Sequence, residues 1–109
     1  MFYGCTYLTT PPKKLPALYV YLQTYGSMFD GCTSLMTVPE LPATSIGQNS
    51  YRNMFRNCTS LTKAPELSVT TLTGSQSCYQ MFYGCTSLTK APTKLLPTTL
   101  ISGCYRGMF

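Results

Sequence analysis

Six cysteines, Cys5, Cys32, Cys58, Cys78, Cys85 and Cys104, are the side chains in this sequence best suited to nucleophilic, redox or soft-metal chemistry. A nucleophilic cysteine needs a neighbouring base to form its thiolate, and the sequence contains no histidine to serve. Zinc is no better supplied, because no C-x-x-C pair occurs. Three acids (Asp30, Glu40 and Glu66) stand against eight bases (Lys13, Lys14, Arg52, Arg56, Lys63, Lys90, Lys94 and Arg106), so most of the usual material for acid–base catalysis is missing. These residue types argue against an enzyme and call for neither metal nor cofactor. The triplet Asn57-Cys58-Thr59 matches a glycosylation acceptor, but chance explains it better, since it lies beside a core cysteine.

The cysteines instead report on the elements that hold them. Cys5, Cys32, Cys58 and Cys85 recur at steps of 27, 26 and 27, and Met-Phe recurs at Met1-Phe2, Met28-Phe29, Met54-Phe55, Met81-Phe82 and Met108-Phe109. Nearly the same phrase follows each cysteine: CTYLTTPP, CTSLMTVP, CTSLTKAP and CTSLTKAP. A period of this length marks units that cannot bury their apolar sides alone and must stack on their neighbours. The sequence therefore predicts a repeat solenoid with units at 1–27, 28–53, 54–80 and 81–107, and a fifth starting at 108–109.

Within a unit, Tyr25, Met28, Phe29 and Cys32 lie at i, i+3, i+4 and i+7, as do Tyr51, Met54, Phe55 and Cys58, while Cys78 completes the face of Met81, Phe82 and Cys85. That spacing predicts one face of a short helix, ended by Gly4, Gly31, Asn57 or Gly84, which enter the left-handed region cheaply. The Thr-Ser-Leu stretch that follows is read as a short strand, closed by Pro12, Pro39, Pro65 or Pro92 because proline offers no N–H to a ladder. Behind a second apolar phrase, Val20, Ile46, Leu72 and Leu100 are placed inside. The Thr-, Ser- and Gly-rich loop 70–77 is where the spacing slips and an extra residue is absorbed. The expected fold is thus leucine-rich-repeat-like, with one short parallel strand and one short helix per rung of 26 or 27 residues.

The phrase MFxGCTSLTKAPxL resembles the leucine-rich repeats of the BspA type, a family of bacterial surface proteins, and the resemblance spans the whole chain. It implies that Phe, Cys and Leu of F-x-x-C-x-x-L point inward. The matching residues are Phe29, Cys32 and Leu35, then Phe55, Cys58 and Leu61, then Phe82, Cys85 and Leu88, with Phe2, Cys5 and Leu8 in the first unit. It also implies cell-surface display and adhesion in place of catalysis, which is a fold-level analogy. The first unit departs from the pattern at Tyr7 and Pro11, and its return segment carries Tyr19 and Tyr21, which suggests a rung with altered packing or an exposed aromatic pair. The regular tyrosines Tyr25, Tyr51, Tyr79 and Tyr105 are expected half buried, hydroxyl outward.

Six cysteines in a short chain ordinarily suggest disulfides. Equivalent residues on adjacent parallel rungs, however, lie about 4.8 Å apart with side chains pointing the same way, whereas a disulfide wants Cβ atoms about 3.8 Å apart. The expectation is a buried column of free thiols, Cys5 over Cys32 over Cys58 over Cys85, with Cys78 and Cys104 in a small-residue column beside Thr24 and Ser50.

At 109 residues, 44% hydrophobic and 10% charged, the chain is the size of one small domain, and it has no apolar run long enough to cross a membrane. Both ends lack the polar, atypical units that close a solenoid, so the expectation is a segment of a longer array with its export signal elsewhere. Thr10, Thr37, Lys63 and Lys90 occupy one place in successive rungs. Stacked lysines repel, so this column should face water and offer the first surface for a ligand, although Glu40 and Glu66 repeat beside it and partly cancel its field. The net charge of +5 comes with no nucleic-acid-binding motif.

Two functional readings follow. The first is a non-enzymatic adhesin or binding scaffold, extracellular or on the cell surface, contacting a protein or glycan of a host or microbe, without nucleic acid and without membrane insertion. The alternative is a structural spacer or fibre component of a surface appendage or phage-like particle. Lateral or end-to-end self-association is compatible with either.

Overall fold

The structure, a computed structural model, describes residues 2–90 and Gly107. Expectations on Met1, Pro92, Lys94, Leu96, Leu100, Cys104, Tyr105, Arg106, Met108 and Phe109 lie outside the described residues.

Three two-residue strands, β1 (Tyr19–Val20), β2 (Ser45–Ile46) and β3 (Thr71–Leu72), form a parallel sheet in the order β1-β2-β3. Tyr19 pairs with Ser45 and Ser45 with Thr71, while Val20 pairs with Ile46 and Ile46 with Leu72. Parallel bridges at Lys14–Glu40, Leu41–Leu67 and Lys63–Lys90 extend the same register beyond the strands. Each pass of the chain therefore lies beside the residues 26 or 27 positions further on. Alternation sends Val20, Ile46 and Leu72 inward and leaves Tyr19 and Thr71 outside.

These strands are not where the sequence reading put them. After each repeated cysteine the chain turns first, with the Leu8, Leu35, Leu61 and Leu88 N–H groups donating to the carbonyls of Cys5, Cys32, Cys58 and Cys85. Little backbone then remains before the proline for a ladder: Met36 N–H reaches the Thr9 carbonyl, and Thr89 N–H the Thr62 carbonyl. The turn and the donorless proline hold this stretch to isolated bonds, and the strands form later, where Val20, Ile46 and Leu72 face the core.

The expected helices are replaced by a different element. Among the described residues there is no helix, and the segments 23–32, 49–58 and 76–85 are ribbons of overlapping turns. In the first ribbon the N–H groups of Gly26, Met28, Asp30 and Cys32 fold back onto the carbonyls of Gln23, Tyr25, Ser27 and Phe29. The intervening N–H groups of Tyr25, Ser27, Phe29 and Gly31 cross to the carbonyls of Ser50, Arg52, Met54 and Arg56 on the next pass. The second ribbon repeats this, with Tyr51, Asn53, Phe55 and Asn57 donating to Ser77, Tyr79, Met81 and Tyr83. Every fourth residue takes positive φ: Gln23, Ser27 and Gly31; Asn49, Asn53 and Asn57; Gln76, Gln80 and Gly84. An L-residue at such φ cannot continue a right-handed helix.

Spacing explains why the ribbon replaces the helix. Packed helices stand about 8–10 Å apart, whereas neighbouring strands stand about 4.8 Å apart. A helix would also keep its N–H groups within itself, leaving none to join one pass to the next. The ribbon spends alternate donors across the passes, and the rings Phe2, Phe29, Phe55 and Phe82 stack at 5.4, 5.4 and 5.6 Å with interplanar angles of at most 5°. Ribbon and sheet thus hold the passes at similar separations.

The core lies between ribbon and sheet. It contains Phe29, Phe55, Phe82, Cys32, Cys58, Leu35 and Leu61 from the repeated phrase and Leu15, Leu41, Leu67, Val20, Ile46 and Leu72 from the other side. Phe2, Leu8, Cys85 and Leu88 are only partly buried. The extra residue of loop 70–77 is taken up around Gly74, where a Cβ would collide with the Gln48 backbone nitrogen, so only glycine fits this close approach.

Candidate functional site

The thiol column comes first, since cysteines were the leading chemical candidates. Cys32 Sγ donates to the Phe2 carbonyl at 3.0 Å, Cys58 Sγ to Phe29 at 3.1 Å, and Cys85 Sγ to Phe55 at 3.0 Å. Each thiol therefore satisfies a carbonyl on the preceding pass, directly beneath the phenylalanine ladder. Burial pushes the thiol of Cys32 up, that of Cys85 to about 11, and that of Cys58 well beyond. A thiol held protonated is a poor nucleophile at neutral pH, and the hydrogen bonds of Cys32, Cys58 and Cys85 tie adjoining passes together. Cys5, Cys32, Cys58 and Cys85 are free thiols. The expectation fails at one end of the column: Cys5 is exposed, because the first pass has no described pass outside it. Among the described residues, no group of three or more Cys, Asp or Glu could hold a metal ion.

Tyr51 also departs from expectation. It is fully buried and stacked with Tyr25 at 6.2 Å, its hydroxyl finds no hydrogen-bond partner among the described residues, and burial pushes its pKa strongly up. The four-residue period of the ribbon points Ser50, Tyr51, Met54, Phe55 and Cys58 inward as successive pairs, which gives this tyrosine no route to solvent.

Thr10, Thr37, Lys63 and Lys90 are all exposed, and the Lys63–Lys90 bridge places the two lysines on adjoining passes. Beside them lies an open cleft of about 440 Å³, walled by Val38, Pro39, Leu41 and Pro42 on one pass and Ala64, Pro65 and Ser68 on the next. Lys63 shares the rim of this cleft with Glu40 and Glu66. The rim thus carries both signs of charge over an apolar floor, an environment suited to contact and orientation, with no activated group for bond making.

One electrostatic feature was missed in the sequence. Asp30, the third carboxylate, is 3% exposed and pairs with Arg56 at 2.9 Å. Arg52 donates from Nη1 to Gln76 Oε1 at 2.8 Å and lies 5.0 Å above the Tyr79 ring. The signal was available: Asp30 and Arg56 occupy the same place in successive repeats, as do Arg52 and Tyr79. Writing the repeats one above another stacks these opposite partners directly.

Among the described residues no helix is long and apolar enough to cross a membrane. No family model, curated protein or solved structure matches this chain, so the likeness to leucine-rich repeats rests on its repeated phrase.

Proposed function

We propose that this chain is a stretch of a leucine-rich-repeat solenoid of the BspA type, displayed at a cell surface as a non-enzymatic binding scaffold for a protein or glycan. The observation that carries the reading is the exposed column Thr10, Thr37, Lys63 and Lys90, repeated on successive parallel passes beside an amphipathic cleft. A rigid stack that repeats one surface at every pass multiplies weak contacts into useful avidity. The protonated thiols favour this reading over catalysis.

Because Glu40 and Glu66 share the rim with Lys63, the column suits a partner of mixed charge better than a polyanion. The test is retention of the immobilised protein on an array of matrix proteins and acidic glycans, repeated with Lys63→Ala and Lys90→Ala. The expected result is a retained ligand whose binding weakens in both variants and at high salt. Absence of any retained ligand, or binding indifferent to both lysines, contradicts the column. A spacer role draws support from the uniform phenylalanine ladder, and it would leave the array blank.

A further inference from the structure

The strand side of the molecule carries a second surface, distinct from the lysine column. Tyr19 in β1 and Tyr21 just past its end flank the buried Val20 and are 63% and 74% exposed, so two aromatic rings stand at the solvent surface two residues apart. Tyr19 pairs with Ser45, and Ser45 with Thr71, so the aromatic edge continues across the sheet as a row of small hydroxyl side chains. Gly47 allows the two passes a close approach here, since a Cβ there would press on the Tyr21 backbone at 3.1–3.2 Å. The hydroxyls of Tyr19, Tyr21, Ser45 and Thr71 have no hydrogen-bond partner among the described residues, whereas those of Thr70 and Thr73 are spent on the Thr44 and Ile46 carbonyls.

Charge settles which partner fits. The chain has a net charge of +5, yet none of its charged residues falls in 17–22, 43–48 or 69–74, the three segments around the strands. A face of aromatic rings and free hydroxyls without charge complements a ligand that offers apolar C–H faces and many hydroxyls and is itself uncharged. A protein partner would call for the apolar surface to continue across β2 and β3, where Ser45 and Thr71 stand instead.

We infer that the outer face of β1–β3 is a binding shelf for a neutral polysaccharide, with Tyr19 and Tyr21 stacking against successive sugar rings and Ser45 and Thr71 bonding their hydroxyls. The inference goes beyond the scaffold reading and uses none of its column residues.

The test measures binding of cellohexaose, maltohexaose, mannohexaose and laminarihexaose by calorimetry and tyrosine fluorescence. Heparin and polygalacturonate serve as charged comparisons, and size-exclusion chromatography with light scattering follows association. At least one neutral hexasaccharide should bind, about tenfold more weakly to Tyr19→Ala and Tyr21→Ala, while Tyr19→Phe and Tyr21→Phe keep the ring contact. Affinity should change less than about twofold between about 50 and about 500 mM salt and in Lys63→Ala. Both tyrosines are exposed, so these variants should melt with the parent. The inference is overturned by no neutral sugar bound, by binding unchanged in Tyr19→Ala and Tyr21→Ala, or by a dimer that vanishes in Tyr19→Ala without any sugar bound, which would assign the face to a second copy. Binding of heparin alone, lost in Lys63→Ala, also overturns it while leaving the lysine column intact.

Discussion

The ribbon side and the strand side stack the same passes by different means. On the ribbon side almost every inward position repeats a residue type, Phe over Phe and Cys over Cys, and alternate N–H groups cross to the next pass. On the strand side the inward residues are Val20, Ile46 and Leu72, and the outward ones change from Tyr19 to Ser45 to Thr71. The contrast separates two tasks. The ribbon fixes spacing through identical partners, and the sheet, held at that spacing, is free to vary its outer surface.

The largest expected effect sharpens this contrast directly. Phe55, fully buried between Phe29 and Phe82, should cost about 3–5 kcal/mol as Phe55→Ala, because the cavity interrupts the ladder on both sides. Ile46→Val on the sheet should cost only about 1 kcal/mol. Urea unfolding of the two variants gives the comparison, and equal losses would mean that the ladder holds no special place.

Alkaline pH should also strike the ribbon side, since Cys32, Tyr51, Cys58 and Cys85 all belong to it and all are pushed up by burial. A thiol that ionises at 9.0 when unfolded but near 11 in the fold binds its proton more tightly when folded. Its contribution is therefore complete below pH 9 and declines as pH rises toward 11. Stability should fall by on the order of 1–2 kcal/mol across that interval, and Cys58→Ala should flatten the fall. A pH-independent urea midpoint would show that the thiols are not buried as described.

Backbone substitutions give a smaller effect with an informative sign. Asn53 has φ of 55°, so Asn53→Ala should destabilise by about 1 kcal/mol and Asn53→Gly by less. In a helix the order would reverse, with alanine stabilising and glycine worst. The smallest effect is expected at Tyr51, whose buried hydroxyl lacks a partner among the described residues: Tyr51→Phe should be neutral or stabilising by less than about 1 kcal/mol in thermal unfolding.

The sequence made the period and the inward Phe, Cys and Leu legible, because a stacked position tolerates little variation. It hid the ribbon, since i, i+3, i+4, i+7 fits a period of four as well as one of 3.6. Residues that tolerate positive φ carried the distinguishing signal in one unit, where Asn49, Asn53 and Asn57 fall every fourth position, whereas Gln76 and Gln80 take the same φ without a residue type that announces it. Strand position was obscured because the repeated phrase is the more regular one, while the phrase that forms the sheet varies. The exposure of Cys5 depends on its place in the stack, which no local pattern records. On the candidate column, the exposed lysines were legible from like-charge repulsion, whereas the cleft beside them arises from prolines on two passes, a packing outcome.

The central claim is that alternate ribbon N–H groups cross between passes, and scalar couplings through hydrogen bonds test it most directly. A long-range HNCO experiment on the isotope-labelled protein should connect the nitrogens of Tyr25, Ser27 and Phe29 to the carbonyl carbons of Ser50, Arg52 and Met54. Correlations from Phe29 to Tyr25 instead, four residues back, would mean a helix and would contradict the stacked ribbon.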